Sequence, residues 1–244
     1  MNILRSIVFN FMFYFGSFFW SVVLLWTLVL PEEKCAQIVS DIYGGYVALI
    51  EKYILNLQLE VKGWENLPQN GPYIIAAKHQ SAYETLKLPY MKKLGYPAII
   101  LKKELTYIPV WGWYFVRMGE IPIDRGSGVE AMNSIVNGCR RALASGRSVI
   151  IFPQGTRVAV GTHKPYKVGI AKVYRDVNAP IVPMALNSGL FWGRKAFFKK
   201  SGTVTFEFLP AIPPGLPPLQ MMEQLEKVTE EACARLTKTG QTCL

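Results

Sequence analysis

The sequence predicts an α/β domain with a mixed, largely parallel sheet flanked by helices, preceded by an N-terminal membrane-embedded helical element. Three observations lead there. Short apolar runs of strand character alternate with helical stretches through most of the chain. From Ser6 to Pro31 there is no charged residue, and a helix needs about 20 apolar residues to cross a bilayer core. Half of all residues are hydrophobic (50%), and the excess over an ordinary soluble domain is concentrated in that one run.

At 244 residues the chain is long enough for one catalytic domain and an appendage. The expected division is residues 1–55 as membrane-anchoring helices and 56–244 as the α/β domain. A cleaved leader fits the first run poorly. Its apolar stretch exceeds the roughly 7–15 residues of such a segment, and no small-residue cleavage site follows; Leu30-Pro31-Glu32-Glu33 does. Residues 36–55 carry apolar side chains at three- and four-residue spacing, which predicts an amphipathic helix lying in the interface, interrupted at Gly44-Gly45. Leu55, Leu57, Leu59 and Val61 then alternate with Asn56, Gln58, Glu60 and Lys62, the pattern of a half-buried strand.

Further strands are expected at Tyr73–Ala77, Ala98–Leu101, Glu120–Asp124, Ser148–Phe152, Pro180–Leu186 and Thr203–Leu209. Helices are expected at Val129–Ala144, closed by Ser145-Gly146, at Val168–Asp176 and at Gln220–Leu236. The Pro-rich piece 210–218 reads as an extended connector.

The formal net charge of +10 calls for an anionic partner, and beside an apolar run that partner is a phospholipid headgroup layer. Nucleic acid is not expected, because no Arg-rich tract or zinc-finger spacing is present. The cysteines at 35, 139, 233 and 243 are scattered, which suits a reducing compartment and argues against a disulfide framework.

Only two histidines occur. His79 follows a predicted buried strand in KHQSAYET, with Glu84 five positions later. If the chain turns helical there, the carboxylate reaches one ring nitrogen and leaves the other free to take a proton. That is a Ser-His-Asp arrangement without its own nucleophile, so the attacking hydroxyl belongs to the substrate. A structural histidine beside a solvated glutamate is the plainer reading of the pair alone. His163 lies in the polar stretch GTHKPYK and reads as solvated. A second strand end carries FPQGTR, Phe152–Arg157. A glycine there exposes backbone N–H groups, and Arg157 offers a fork suited to phosphate or carboxylate; a simple turn is the bland alternative. Lys102, Lys103 and Arg125 sit at other predicted strand ends, where open α/β sheets bind ligands. Tyr107, Trp111, Trp113, Tyr114 and Phe115 form either an apolar slot, a membrane contact or one buried helix face.

Together, the His79–Glu84 block, KKEL…PVWGW…IDR at 102–125, FPQGTR at 152–157 and VPMALNSG at 182–189 resemble the 1-acylglycerol-3-phosphate acyltransferase family. The resemblance covers roughly residues 60–190. It implies that His79 deprotonates a glycerol hydroxyl, that Glu84 orients it, and that Lys102, Arg125, Gln154, Gly155, Thr156 and Arg157 hold the phosphate-bearing acceptor. It implies lysophosphatidic acid as acceptor, acyl-CoA or acyl-acyl carrier protein as co-substrate, and no bound cofactor or metal. It also implies a bacterial inner-membrane location with the domain facing the cytoplasm. Two positions depart from the family pattern: Glu84 stands where Asp is usual, and Gln154 where Glu is usual. The rival readings are an acyltransferase for another lysolipid, and a non-catalytic binder of anionic lipid on the same fold.

Overall fold

The computed structural model describes residues 2–124, 126 and 128–242. It begins with α1 (Asn2–Val23), then α2 (Glu32–Val39) and α3 (Gly45–Ile50). The domain follows as β1 (Leu57–Lys62), β2 (Ile74–Ala77), α4 (Tyr83–Lys87), β3 (Ala98–Lys102), α5 (Trp111–Arg117) and β4 (Ile121–Ile123). It closes with α6 (Gly128–Ala144), β5 (Val149–Ile151), α7 (Gly169–Val177), β6 (Ile181–Leu186), β7 (Gly202–Phe208) and α8 (Pro218–Thr242).

The seven strands form one sheet in the order β1-β7-β6-β2-β5-β3-β4. From β6 to β4 every pairing is parallel, β7 runs antiparallel to β6, and β1 follows β7. The sheet is thus mixed and largely parallel. β2, β5 and β6 are apolar without alternation and buried throughout, as strands covered on both faces must be. Strand β1, at the edge, alternates as its sequence does, with Gln58, Glu60 and Lys62 exposed. One core layer packs Ile75, Ala77, Tyr83, Val182, Met184 and Phe206 on the side of the N-terminal helices. The other packs Ile74, Ala76, Val149, Val173 and Ile181 under α6, α7 and α8. The 210–218 connector also joins the sheet locally, where Ile212 bridges Ile181.

Gly44-Gly45 does not interrupt the second helical segment. Residues 32–55 run on as helix through two π turns, Ser40–Gly44 and Glu51–Leu55. Gly44 is there for packing: a Cβ on it would lie 2.9 Å from Cβ of Tyr90. Helix α1 folds back along this segment, with Ser17 and Tyr43 hydroxyls 2.8 Å apart and the Tyr46 hydroxyl donating to the Met12 carbonyl at 2.6 Å.

The polarity of α1 is inverted relative to a soluble amphipathic helix. Its inner side buries Ser6, Asn10, Ser17 and Ser21, while Leu4, Phe11, Phe15 and Phe18 on the outer side are exposed. Ile3–Val23 is long and apolar enough to cross a membrane, yet about a third of it is buried against the protein.

Glu120 shows a different constraint. Its side chain is buried where β4 begins and accepts the Ile99 N–H at 2.5 Å. Desolvation pushes its pKa up to about 8, against the Ile99 hydrogen bond and the nearby Arg147. The folded state therefore holds this proton more tightly than the unfolded chain. The resulting stability is complete below the ordinary value of 4.5 and is lost as pH rises through about 8. Glu120→Gln should keep the acceptor and remove this share of the slope. Melting curves at about pH 5 and pH 8 should then differ by a few degrees less than in the parent, at roughly 2–4 °C per kcal/mol for a chain of this size.

Candidate active site

Four parallel strands deliver the sequence-predicted residues to one edge of the sheet. In the order β2, β5, β3, β4, their carboxyl ends carry His79, the FPQGTR segment, Lys102 and Asp124. At about 4.8 Å per strand, Lys102 lies two strands and Asp124 three from the histidine strand. Arg125 lies outside the described residues.

His79 leaves β2 just before α4, and the turn aims Glu84 back at it. His79 Nδ1 is 2.8 Å from Glu84 Oε1. The same oxygen accepts the backbone N–H groups of Gln80 and Ser81, each at 2.7 Å. Those two donors fix Oε1 as an acceptor, so Nδ1 donates and carries the ring proton. Nε2 is then the basic nitrogen. The other carboxylate oxygen accepts the Ser188 hydroxyl at 2.8 Å. Four donors thus converge on a carboxyl that is wholly buried, which suits an acceptor-only group.

The imidazole is held across its plane as well. Phe152 stacks on it with 4.1 Å between ring centroids and 21° between planes. The Val158 N–H bonds the His79 carbonyl at 2.8 Å, stitching the segment after β5 to the end of β2. The His79 side chain keeps 12% of its surface exposed, enough for a substrate to reach it.

The FPQGTR segment turns at Gly155, whose φ of +66° lies in the left-handed region. A Cβ there would come within 3.0 Å of the Lys167 side chain, which lies across the turn. Thr156 and Arg157 are half-buried beside it. Arg157 has no hydrogen-bond or ion-pair partner among the described residues. Gln154 is fully buried: its amide nitrogen donates to the Lys164 carbonyl at 3.3 Å, and its oxygen has no partner among the described residues. An ionised glutamate could not make that donation, so the glutamine fits the loop as built. Lys102 is exposed and pairs loosely with Glu104 at 3.7 Å.

Other groups complete the surroundings. Lys78 is buried and bonds both carboxylate oxygens of Glu230 on α8, at 2.7 and 2.8 Å. His163 is exposed and meets Glu226 at 2.7 Å. The aromatic cluster divides: Tyr114 is buried, its hydroxyl donating to the Ser21 carbonyl at 2.7 Å, whereas Tyr107 and Trp113 are exposed. Sequence reasoning gave no role to Ser188, or to Gln80, whose side chain accepts the Gly189 N–H at 3.0 Å. The only signals were the blocks that contain them, VPMALNSG for Ser188 and KHQSAYET for Gln80.

Residues 58–187 match the family model described as Acyltransferase. The chain belongs to the acyltransferase family. A 1-acyl-sn-glycerol-3-phosphate acyltransferase of Pseudomonas aeruginosa is 28% identical over 211 residues, covering 86% of this chain and 80% of that protein. The human 1-acyl-sn-glycerol-3-phosphate acyltransferase alpha is 28% identical over 207 residues, covering 82% and 72%. Among solved structures, the 1-acyl-sn-glycerophosphate (LPA) acyltransferase PlsC of Thermotoga maritima superposes with a TM-score of 0.75 at 19% identity, covering 97% of this chain and 99% of that one. At that identity the match establishes the fold: an α/β acyltransferase domain carrying N-terminal helices.

The buried hydroxyl of Ser188 gives a direct test of the carboxylate network. Ser188→Ala removes one of four donors, and a hydrogen bond to a charged group contributes about 1.5–3 kcal/mol. Turnover should fall by roughly tenfold or more, with little change in KM, in steady-state assays of the family reaction.

Proposed function

We propose that the protein transfers a fatty acyl group from acyl-CoA or acyl-acyl carrier protein to the sn-2 hydroxyl of 1-acyl-glycerol-3-phosphate, giving phosphatidic acid. The observation that carries this reading is the commitment of His79 Nδ1–H to Glu84, which leaves Nε2 as a free base at the open edge of the sheet. The names of the relatives supply the substrate class.

Nε2 takes the proton of the sn-2 hydroxyl as its oxygen attacks the thioester carbonyl. The C–O ester bond forms, the C–S bond breaks, and the imidazolium returns the proton to the departing thiolate. Glu84 stabilises the imidazolium between these steps. Arg157, without a hydrogen-bond or ion-pair partner among the described residues, is the first choice for the acceptor phosphate, with Lys102 and Arg125 as further cations and Gln154, Gly155 and Thr156 shaping the turn. No step draws on a metal or a bound cofactor. A small apolar cavity of about 40 Å³, far too small for an acyl chain, lies between the N-terminal helices and α5 and is lined by Trp20, Leu24, Tyr43, Trp111 and Met118, and by Thr85, the residue after Glu84.

With purified protein in mixed micelles, lysophosphatidate and labelled acyl thioester should yield phosphatidate. His79→Ala should lower kcat by at least about 10²-fold, and Arg157→Ala should raise KM for lysophosphatidate far more than for the thioester. An active His79→Ala enzyme would sink the mechanism. A second reading, transfer to another lysolipid, draws support from the neutral, buried Gln154. A panel of lysolipid acceptors in which a lyso-aminolipid outperforms lysophosphatidate would favour it.

The same proposal places α1 flat in one leaflet, outer face in the acyl chains and inner face on the protein, with the domain on the cytoplasmic side. Exposed apolar area of this extent stabilises membrane insertion in proportion to what is removed from water. Replacing Phe11, Phe15 and Phe18 together by Ser touches no buried side chain. The variant should melt normally yet leave the membrane pellet on washing with high salt, which the parent should resist.

A further inference from the structure

The helix that supplies Glu84 is only five residues long, Tyr83–Lys87. Helices so short have no stability of their own, so tertiary contacts must set where Glu84 points. Tyr83 is one such contact, buried against Trp192 and Phe206. The other is ionic. One turn beyond Glu84, the Lys87 ammonium pairs with Oε2 of Glu51 and lies 5.4 Å from the centre of the Tyr83 ring.

This pair is unlike the surface salt bridges of the domain. The Lys87 and Glu51 side chains are 11% and 2% exposed. The second oxygen of Glu51 is buried with no partner among the described residues, and Glu51 is one of the residues lining a cavity of about 640 Å³ between the 32–55 helical segment and α4. Asp41 and Lys52 also border that cavity. Glu51 opens the second π turn, a rare geometry that tends to occur where function constrains a helix. Burial pushes its pKa up to about 7, and Lys87 opposes that rise.

Buried pairs of this kind are poor stabilisers, since apolar residues of similar volume usually hold a fold as well or better. Their best-attested use is to fix one element in register against another. Here the two elements are the N-terminal helical segment and the helix that carries the catalytic carboxylate. We propose that Glu51 and Lys87 are positioning residues for acyl transfer, clamping α4 to the N-terminal helices so that their placement sets the Glu84–His79 geometry. This rests on the acyltransferase reading above. It extends that reading from the residues that meet substrate to a pair that never does.

The test compares Lys87→Met, Lys87→Arg and the apolar double variant Glu51→Leu/Lys87→Met, with Glu84→Gln as benchmark. Lys87→Met should lose at least about tenfold in kcat, with KM for both substrates within about twofold of the parent. Lys87→Arg should recover most of that loss. The double variant should regain the parent's melting temperature without regaining kcat. A second readout needs no substrate: the rate at which diethyl pyrocarbonate modifies His79, measured in a His163→Gln background so that one histidine reports. Both Lys87→Met and the double variant should slow modification several-fold, as Glu84→Gln should. Recovery of kcat and of modification rate in the double variant would reduce the pair to a structural one and overturn the proposal. Absence of acyl transfer by the parent protein would instead sink the function, while the modification rates would still decide the role of the pair.

Discussion

Much of this structure is arranged around the cost of burying one carboxylate. Glu84 has no exposed surface, and an ionised carboxyl removed from water must find donors within the protein. It takes them from the turn after β2, from the ring of His79 and, across 104 residues, from Ser188 beyond β6. Meeting those demands at once requires β2 and β6 to be neighbours with their carboxyl ends level, as the sheet provides. The polarity of the strands and the tautomer of His79 are thus one problem with one solution. The side chain of Gln80 adds a cross-link to Gly189 between the same two strand ends.

The strands were legible because period and burial agree. Unbroken apolar runs at 73–77, 148–152 and 180–186 became the covered centre of the sheet, and the alternating 55–61 became its edge. The His79–Glu84 contact was legible because five residues across a strand-to-helix turn leave few geometries. What stayed hidden depends on distant partners. Nothing local in Ser188 says that its hydroxyl ends on residue 84. Gly44-Gly45 looked like a break because glycine weakens an isolated helix, but the approach of Tyr90, far along the chain, decides that position. The aromatic cluster at 107–115 could not be assigned as a unit because it is not one: its members divide between contact with the N-terminal helices and solvent.

Seen from the substrate, the molecule separates two tasks on opposite flanks of one sheet. The layer under α6, α7 and α8 is an ordinary apolar core, with α8 latched to the strand end through Lys78 and Glu230. The opposite layer is shared with the N-terminal helices, where Phe9 packs edge-on against Trp192. The strand ends that carry His79 lie between a flank closed by three helices and a flank whose outermost helix exposes Leu4, Phe11, Phe15 and Phe18.

The inverted polarity of α1 has a consequence for the order of biosynthesis. Two of its inner polar side chains find partners near residue 199: Ser6 accepts the Lys199 N–H at 3.0 Å, and Asn10 donates to the Phe197 carbonyl at 3.1 Å. Those groups are translated 187 to 193 residues after Asn10 and Ser6. The 32–55 segment, which meets Ser17 and the Met12 carbonyl, is made soon after the helix. The first turns of α1 therefore keep Ser6 and Asn10 without these partners until the segment near residue 199 has been made, so their docking on the domain is a late step of folding.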